Sequence, residues 1–160
     1  MAFVKKVFYF LYTNVNIGLL LLNVVFFISE KADSQTCVNF ISSISLESSS
    51  TECVSKSESS VYYGGVFNDD INLLGHNLIY RGGVGSDVFL VKTNIVGQIE
   101  WAKSWGGKSV DHITSITVNG GIVYAAGYFS DTLYVENDTL FNNGQIAAFI
   151  IAYDTTGNYI

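Results

Sequence analysis

The sequence predicts an all-β fold assembled from a repeated unit of several strands. Val61-Tyr62-Tyr63-Gly64-Gly65-Val66-Phe67 returns as Val123-Tyr124-Ala125-Ala126-Gly127-Tyr128-Phe129, and the run Val88 to Gly97 returns as Ala148 to Gly157. The echoes are offset by 62 and 60 residues, and a multi-strand unit recurring at such a period belongs to a propeller or a solenoid. Beyond residue 35, moreover, no stretch sustains the apolar spacing of a helix.

The N-terminus stands apart from that repeat. Lys5 and Lys6 precede an apolar run from Val7 to Ile28, which reads as an N-terminal hydrophobic helix. Ala32-Asp33-Ser34 places small residues where a signal peptidase reads them, with a cut before Gln35. Residues 1–34 are therefore expected to be a signal peptide or a membrane anchor, since the run is also long enough to span a bilayer. Thr13, Asn14, Asn16 and Asn23 interrupt it and favour the cleaved signal. Either way residues 35–160 are exported.

Cys37 and Cys53 follow the cut. In an oxidising compartment they are expected to pair, closing a loop that stabilises by ~3 kcal/mol, while two unpaired thiols on a disordered loop is the alternative. Two cysteines with no nearby histidine supply only half a zinc site, and Ser34-Gln35-Thr36 lacks the apolar lead of a lipoprotein anchor. Asn137-Asp138-Thr139 is an N-glycosylation sequon, placing a candidate acceptor at Asn137.

Four strands are expected per unit. The first is Ile41 to Leu46, whose apolar and polar positions match those of Ile113 to Val118 one for one. The second is Val61 to Phe67 or Val123 to Phe129, with central glycines that let backbones approach closely. A small hairpin follows: Ile71 to Leu73 turning into Leu78 to Tyr80, and Thr132 to Val135 turning into Thr139 to Phe141. The third strand is Val88 to Thr93 or Ala148 to Asp154. The fourth is Gln98 to Trp105 of the first unit, with Ile99, Trp101 and Lys103 alternating on one side. The first unit also inserts Glu47 to Ser60, a serine-rich stretch expected to be a flexible loop that brings Cys53 back to Cys37.

These residues resemble a known family. Ser86-Asp87-Val88-Phe89-Leu90-Val91-Lys92, followed by Gly97-Gln98-Ile99-Glu100-Trp101-Ala102-Lys103-Ser104-Trp105-Gly106-Gly107, is similar to the bacterial beta-propeller repeat called SBBP. Val123 to Ser130 resembles the "VYVTGYFSG" segment of that repeat. The resemblance covers roughly Ile41 to Ile160. It implies four-stranded antiparallel β-propeller blades in a secreted or surface-attached protein, and no single activity. On that basis residues 35–160 are an incomplete propeller, with blade one at 41–105 and a partial, truncated blade two at 113–160. Ala147-Ala148 departs from the pattern by replacing Asp87-Val88. Propellers close with about four to eight blades, so further blades in cis or trans are implied partners.

Composition narrows the function classes. A net charge of -6 with no clustered Lys or Arg supplies no footprint for nucleic acid. His76 falls at a hairpin tip and His112 follows Asp111, an oriented-base arrangement to which no motif ties a nucleophile. Asp69, Asp70 and Asp131 lack the regular spacing of a calcium loop and read as turn caps. Gly106-Gly107-Lys108-Ser109 looks like the tail of a phosphate loop, but Ala102 occupies the place of its first glycine. Trp101 and Trp105 share one strand face, which suits blade packing and leaves a sugar-stacking binding surface as the alternative. The expectation is a non-enzymatic, exported or cell-surface scaffold, without cofactor or metal, that presents loops to a protein or glycan ligand. The rival is a piece of a quinoprotein-like or hydrolytic propeller enzyme, whose glycine-to-tryptophan spacing Gly97 to Trp101 also fits.

Overall fold

The computed structural model describes residues 22–26, 40–44 and 48–160, and these are all-β, with antiparallel sheets and no helix. Among the described residues β1 (Leu22–Phe26) pairs with β2 (Phe40–Ile44). The chain divides into two compact units, Met1–Ser45 and Leu46–Ile160. In the second unit, β3 (Ser49–Lys56), β4 (Ser60–Phe67), β7 (Asp87–Asn94) and β8 (Ile99–Trp105) form a four-stranded sheet in that order. Between β4 and β7 the chain makes a separate hairpin of β5 (Ile71–Leu73) and β6 (His76–Leu78). β9 (Asp111–Asn119), β10 (Ile122–Val135) and β11 (Asp138–Asp154) then form a three-stranded meander.

The two sheets repeat one another in register. Val61 faces Thr93 and Phe67 faces Asp87 across β4 and β7, while Val123 faces Tyr153 and Phe129 faces Ala147 across β10 and β11. Even the irregularity is copied. A bulge leaves Glu52 extra opposite Gly64 and Gly65, and its counterpart leaves Thr114 extra opposite Ala126 and Gly127. Glycine is required there, because a Cβ on Gly65 would strike the Ser50 carbonyl and one on Gly127 would strike the equivalent His112 carbonyl. The turns after β7 and β11 also agree: Asn94 accepts from the amides of Val96 and Gln98, and Asp154 from those of Thr156 and Asn158. In the second copy the small hairpin is not separate, for β10 and β11 run straight into it past a bulge at Asp131.

Two expectations change at the N-terminal side. The first strand of the sheet is Ser49–Lys56, so Lys56 and Val118 occupy equivalent places beside Val61 and Val123. Ile41 instead lies in β2 and pairs with Val25. The serine-rich stretch is thus mostly strand, not loop; its Ser and Thr positions lie on an edge strand whose side chains are largely exposed, so polar residues cost little there. The helix expected across Val7 to Ile28 falls outside the described residues except at Leu22–Phe26, which is strand. The proposed signal cut before Gln35 likewise falls outside them.

The core lies between the two sheets. Cross-strand rows on the first sheet bring Tyr62, Val88, Leu90, Trp101 and Trp105 to one face. Against them pack Ile113, Ile116, Val123, Ala125, Phe129, Phe149, Ile151 and Tyr153 of the second sheet. Trp105 is fully buried, edge-on to Phe149 at 6.3 Å and tilted against Tyr153 at 6.0 Å. Trp101 lies 6.0 Å from Tyr62 and 6.2 Å from Tyr153, and its indole N–H donates to the Thr155 carbonyl at 3.2 Å. The same carbonyl accepts from the Lys92 ammonium at 2.8 Å, so the turn of the second sheet is latched to the first. Replacing so large a side chain leaves a void the flanking rings cannot fill. Trp105→Ala should therefore lower unfolding free energy by about 3–5 kcal/mol in urea denaturation of the full chain.

Candidate functional site

Among the described residues Cys53 is a free thiol, and Cys37, its expected partner, lies outside them. The β3 register turns Cys53 toward the core side of the sheet, beside Gly64, where its thiol donates to the Gly64 carbonyl at 3.8 Å. A Cβ on Gly64 would crowd Cys53 Sγ, Ile113 and Ile116 together, at 2.7 to 2.9 Å, which shows how closely the second sheet approaches there. Burial, with help from the charge of Glu52, pushes the thiol up to about 11.

Trp101 and Trp105, expected either to pack or to bind sugar, are both buried. Neither offers an open indole face to a glycan. His76 begins β6 beside Leu73 and is half-buried. His112 stacks on Tyr128 with centroids 5.2 Å apart and an interplanar angle of 4°. Its ring Nδ1 lies 3.2 Å from the Ile113 carbonyl. Asn137 is exposed at the tip of the β10–β11 hairpin. Asp70 caps the Tyr80 amide at 2.7 Å and Asp69 the Asp70 amide at 2.8 Å, while the Asp131 amide donates to Asn142 at 2.9 Å. Among the described residues no group of three or more His, Cys, Asp or Glu is placed to hold a metal.

Two features were not singled out by sequence reasoning. The first is a polar hub where the chain passes from the first sheet to the second. Asp87 lies over Gly106, and Asp111 accepts the Gly107 amide at 2.6 Å. Both carboxylates are fully buried, and each keeps one oxygen without a hydrogen-bond partner among the described residues. The other oxygen of Asp87 accepts the Arg81 amide at 2.8 Å and lies 3.9 Å from its guanidinium. Segment 83–86 is stitched to 108–111 by Val84 N–H to the Lys108 carbonyl, Asp111 N–H to the Ser86 carbonyl, and Ser86 hydroxyl to the Asp111 carbonyl. Burial raises Asp87 to about 6; burial and the charge of Asp87 raise Asp111 to about 7. Exclusion of solvent makes the hub a structural element rather than a place for substrate.

The second feature is the outer face of the three-stranded sheet. Tyr124, Ala126 and Tyr128 on β10 lie beside Ala152, Ile150 and Ala148 on β11. Their equivalents in the first sheet, Tyr62, Gly64, Val66, Lys92, Leu90 and Val88, form the face that meets the second sheet. Here, by contrast, Ile150 is 74% exposed. The signal was available in the sequence: the 60-residue offset transfers the buried Val88 and Leu90 of the first sheet onto the exposed Ala148 and Ile150 of the second.

No protein-family model matches the chain, and no curated protein matches it.

Two outcomes follow. The folded chain binds more protons than the unfolded one between about pH 4 and about pH 7, because Asp87 and Asp111 are raised above the ordinary carboxylate value. Their contribution to stability is complete at the acid end of that window and is lost as pH rises through it. Asp154, held low mainly by the Thr156 hydroxyl, acts in the opposite sense but only below that window. The thermal midpoint of Asp111→Asn should thus depend less steeply on pH than that of the unaltered chain, and equal slopes would exclude the hub as the cause. In a Cys37→Ser background, Cys53 should react slowly with a thiol reagent at neutral pH until the chain is unfolded.

Proposed function

We propose that this chain is a non-enzymatic repeat scaffold, built on β-propeller-type blades, that serves in binding or structure outside the cytoplasm. The observation that carries the reading is the repetition of one sheet unit, register for register and bulge for bulge, with the two copies packed face to face. A unit that buries one face on its neighbour while the corresponding face of the second copy carries exposed residues is suited to stacking. The resemblance of the two copies to the SBBP repeat supports blades as the form of that stacking, with further blades supplied in cis or in trans. A protein or glycan ligand would meet the loops and outer strands, since the aromatic core side chains are taken up between the sheets.

The perturbed carboxylates support a scaffold over the propeller-enzyme alternative, because Asp87 and Asp111 are sealed from solvent and a general acid or base must reach its substrate. Export rests on the N-terminal run and the cut before Gln35. Cleavage there would remove Leu22–Phe26, the strand that pairs with Phe40–Ile44.

Expression of the full chain with its native leader in an export-competent host tests both parts. Intact mass should correspond to a chain beginning at Gln35, and the recovered protein should unfold in one cooperative transition. A full-length mass in the membrane fraction would favour the anchor, and a chain without a transition would overturn the scaffold.

A further inference from the structure

The crossing between the two sheets is fastened mainly through the two buried carboxylates. Residues 81–86, which lead into β7, lie across 108–111 at backbone distance: a Cβ on Gly83 would strike the Lys108 carbonyl and one on Gly85 the Ser109 carbonyl. Gly82 and Gly83 take φ of 76° and 124°, a left-handed turn of chain that glycine adopts freely, and Val84 is 94% exposed. A segment with so little apolar burial of its own opens at low cost unless something fastens it. Two fastenings are the Val84 amide on the Lys108 carbonyl at 3.3 Å and the Tyr80 hydroxyl on the Gly85 carbonyl at 2.9 Å. The others end on Asp87 or Asp111: the Arg81 amide on the Asp87 carboxylate, the Asp111 amide on the Ser86 carbonyl, and the Ser86 hydroxyl on the Asp111 carbonyl.

Arg81 is the cation that both carboxylates feel. Of the other charged or titratable residues on the surrounding segments, Asp69, Asp70 and Lys108 are exposed, Lys103 is paired with Glu136, His112 stacks on Tyr128, and Asp131 is half-buried at the β10 bulge. One guanidinium cannot neutralise two carboxylates in a place closed to water, where each also keeps an oxygen without a partner among the described residues. The closed hub therefore favours a proton on the pair.

We infer that the hub is a proton-operated latch: a proton on the Asp87–Asp111 pair keeps residues 81–86 closed on 108–111, and its loss lets that crossing swing open on Gly82 and Gly83 while both sheets stay folded. In the open form the carboxylates meet water and return to ordinary carboxylate values, so opening releases protons. With Asp87 raised to about 6 and Asp111 to about 7 when closed, opening is rarest near pH 4 and levels off above about pH 7. Between those limits it rises by up to about tenfold per pH unit for each proton released. The junction between the copies, rather than either sheet, is then the part of the scaffold that responds to the acidity of its surroundings.

Native-state hydrogen exchange of the full chain, followed by NMR from about pH 5 to about pH 7 in low urea and corrected for intrinsic exchange, tests the latch. The amides of Arg81, Val84 and Gly107 report the crossing, and those of Leu90 and Ala125, on central strands, report global unfolding. The crossing amides should open more often than the strand amides, with an opening constant that urea leaves unchanged and that rises about tenfold or more over this range. In Asp111→Asn, which keeps the shape of the side chain but cannot ionise, the rise should shrink severalfold. Asp87→Asn stands in if that variant fails to fold, and the unaltered chain decides the matter by its urea and pH dependence alone if neither folds. Crossing amides that exchange only together with the strand amides, at one opening constant and with one urea dependence, overturn the latch and leave the scaffold intact. A local opening without pH dependence overturns it, as does an undiminished pH dependence in a folded variant. A chain with no cooperative transition removes the scaffold and the latch together.

Discussion

Two indole rings held between two twisted sheets are the constraint on which the remaining structure depends. Trp105 is bounded by Phe149 and Tyr153, and Trp101 by Tyr62 and Tyr153, so Tyr153 touches both. Their volume sets the spacing of the sheets, and that spacing in turn dictates small residues at Gly64 and Ala125. Polar contacts refine the placement. Lys92 and Trp101 converge on the Thr155 carbonyl, and Lys103 reaches Glu136 at 3.1 Å. The aromatic contact buries large apolar surface, and the latch ties the turn of one sheet to the other.

The strands that bury an apolar face were legible from residues alone. β4, β7, β10 and the later part of β11 alternate or run apolar because both faces or one must be covered, and the echo between copies located them. β3 was not legible. Its sequence Ser-Ser-Thr-Glu-Cys-Val-Ser-Lys carries little apolar signal because an edge strand with mostly exposed side chains needs little. Composition therefore pointed to a loop, while Ile41 to Leu46 offered a misleading local match whose pattern satisfies β2 equally well. The place of Cys53 was missed for a related reason: it belongs to a strand, and its side chain turns to the core side of the sheet.

The buried carboxylates illustrate a different limit. Asp87 begins a strand and Asp111 begins another, 24 residues on, and each alone looks like an ordinary turn residue. Only the return of the chain through Gly106 and Gly107 brings them to one hub with Arg81. The second copy has Ala147 at the position of Asp87, so the hub is built once and marks the junction between copies rather than every copy. The outer face of the second sheet was implicit in the offsets, yet its meaning emerged only after the equivalent face of the first sheet proved to be an interface.

The order of strand pairing also has a kinetic side. Within each copy successive long strands are sheet neighbours, with only the β5–β6 hairpin set between β4 and β7. Such meanders close short loops at each step, so each sheet can form as its segment leaves the ribosome, before the next has been synthesised. Docking of one sheet on the other then becomes a late event between largely formed surfaces. Lengthening such a protein requires no rewiring of earlier segments; a newly translated copy has only to arrive beside a finished one.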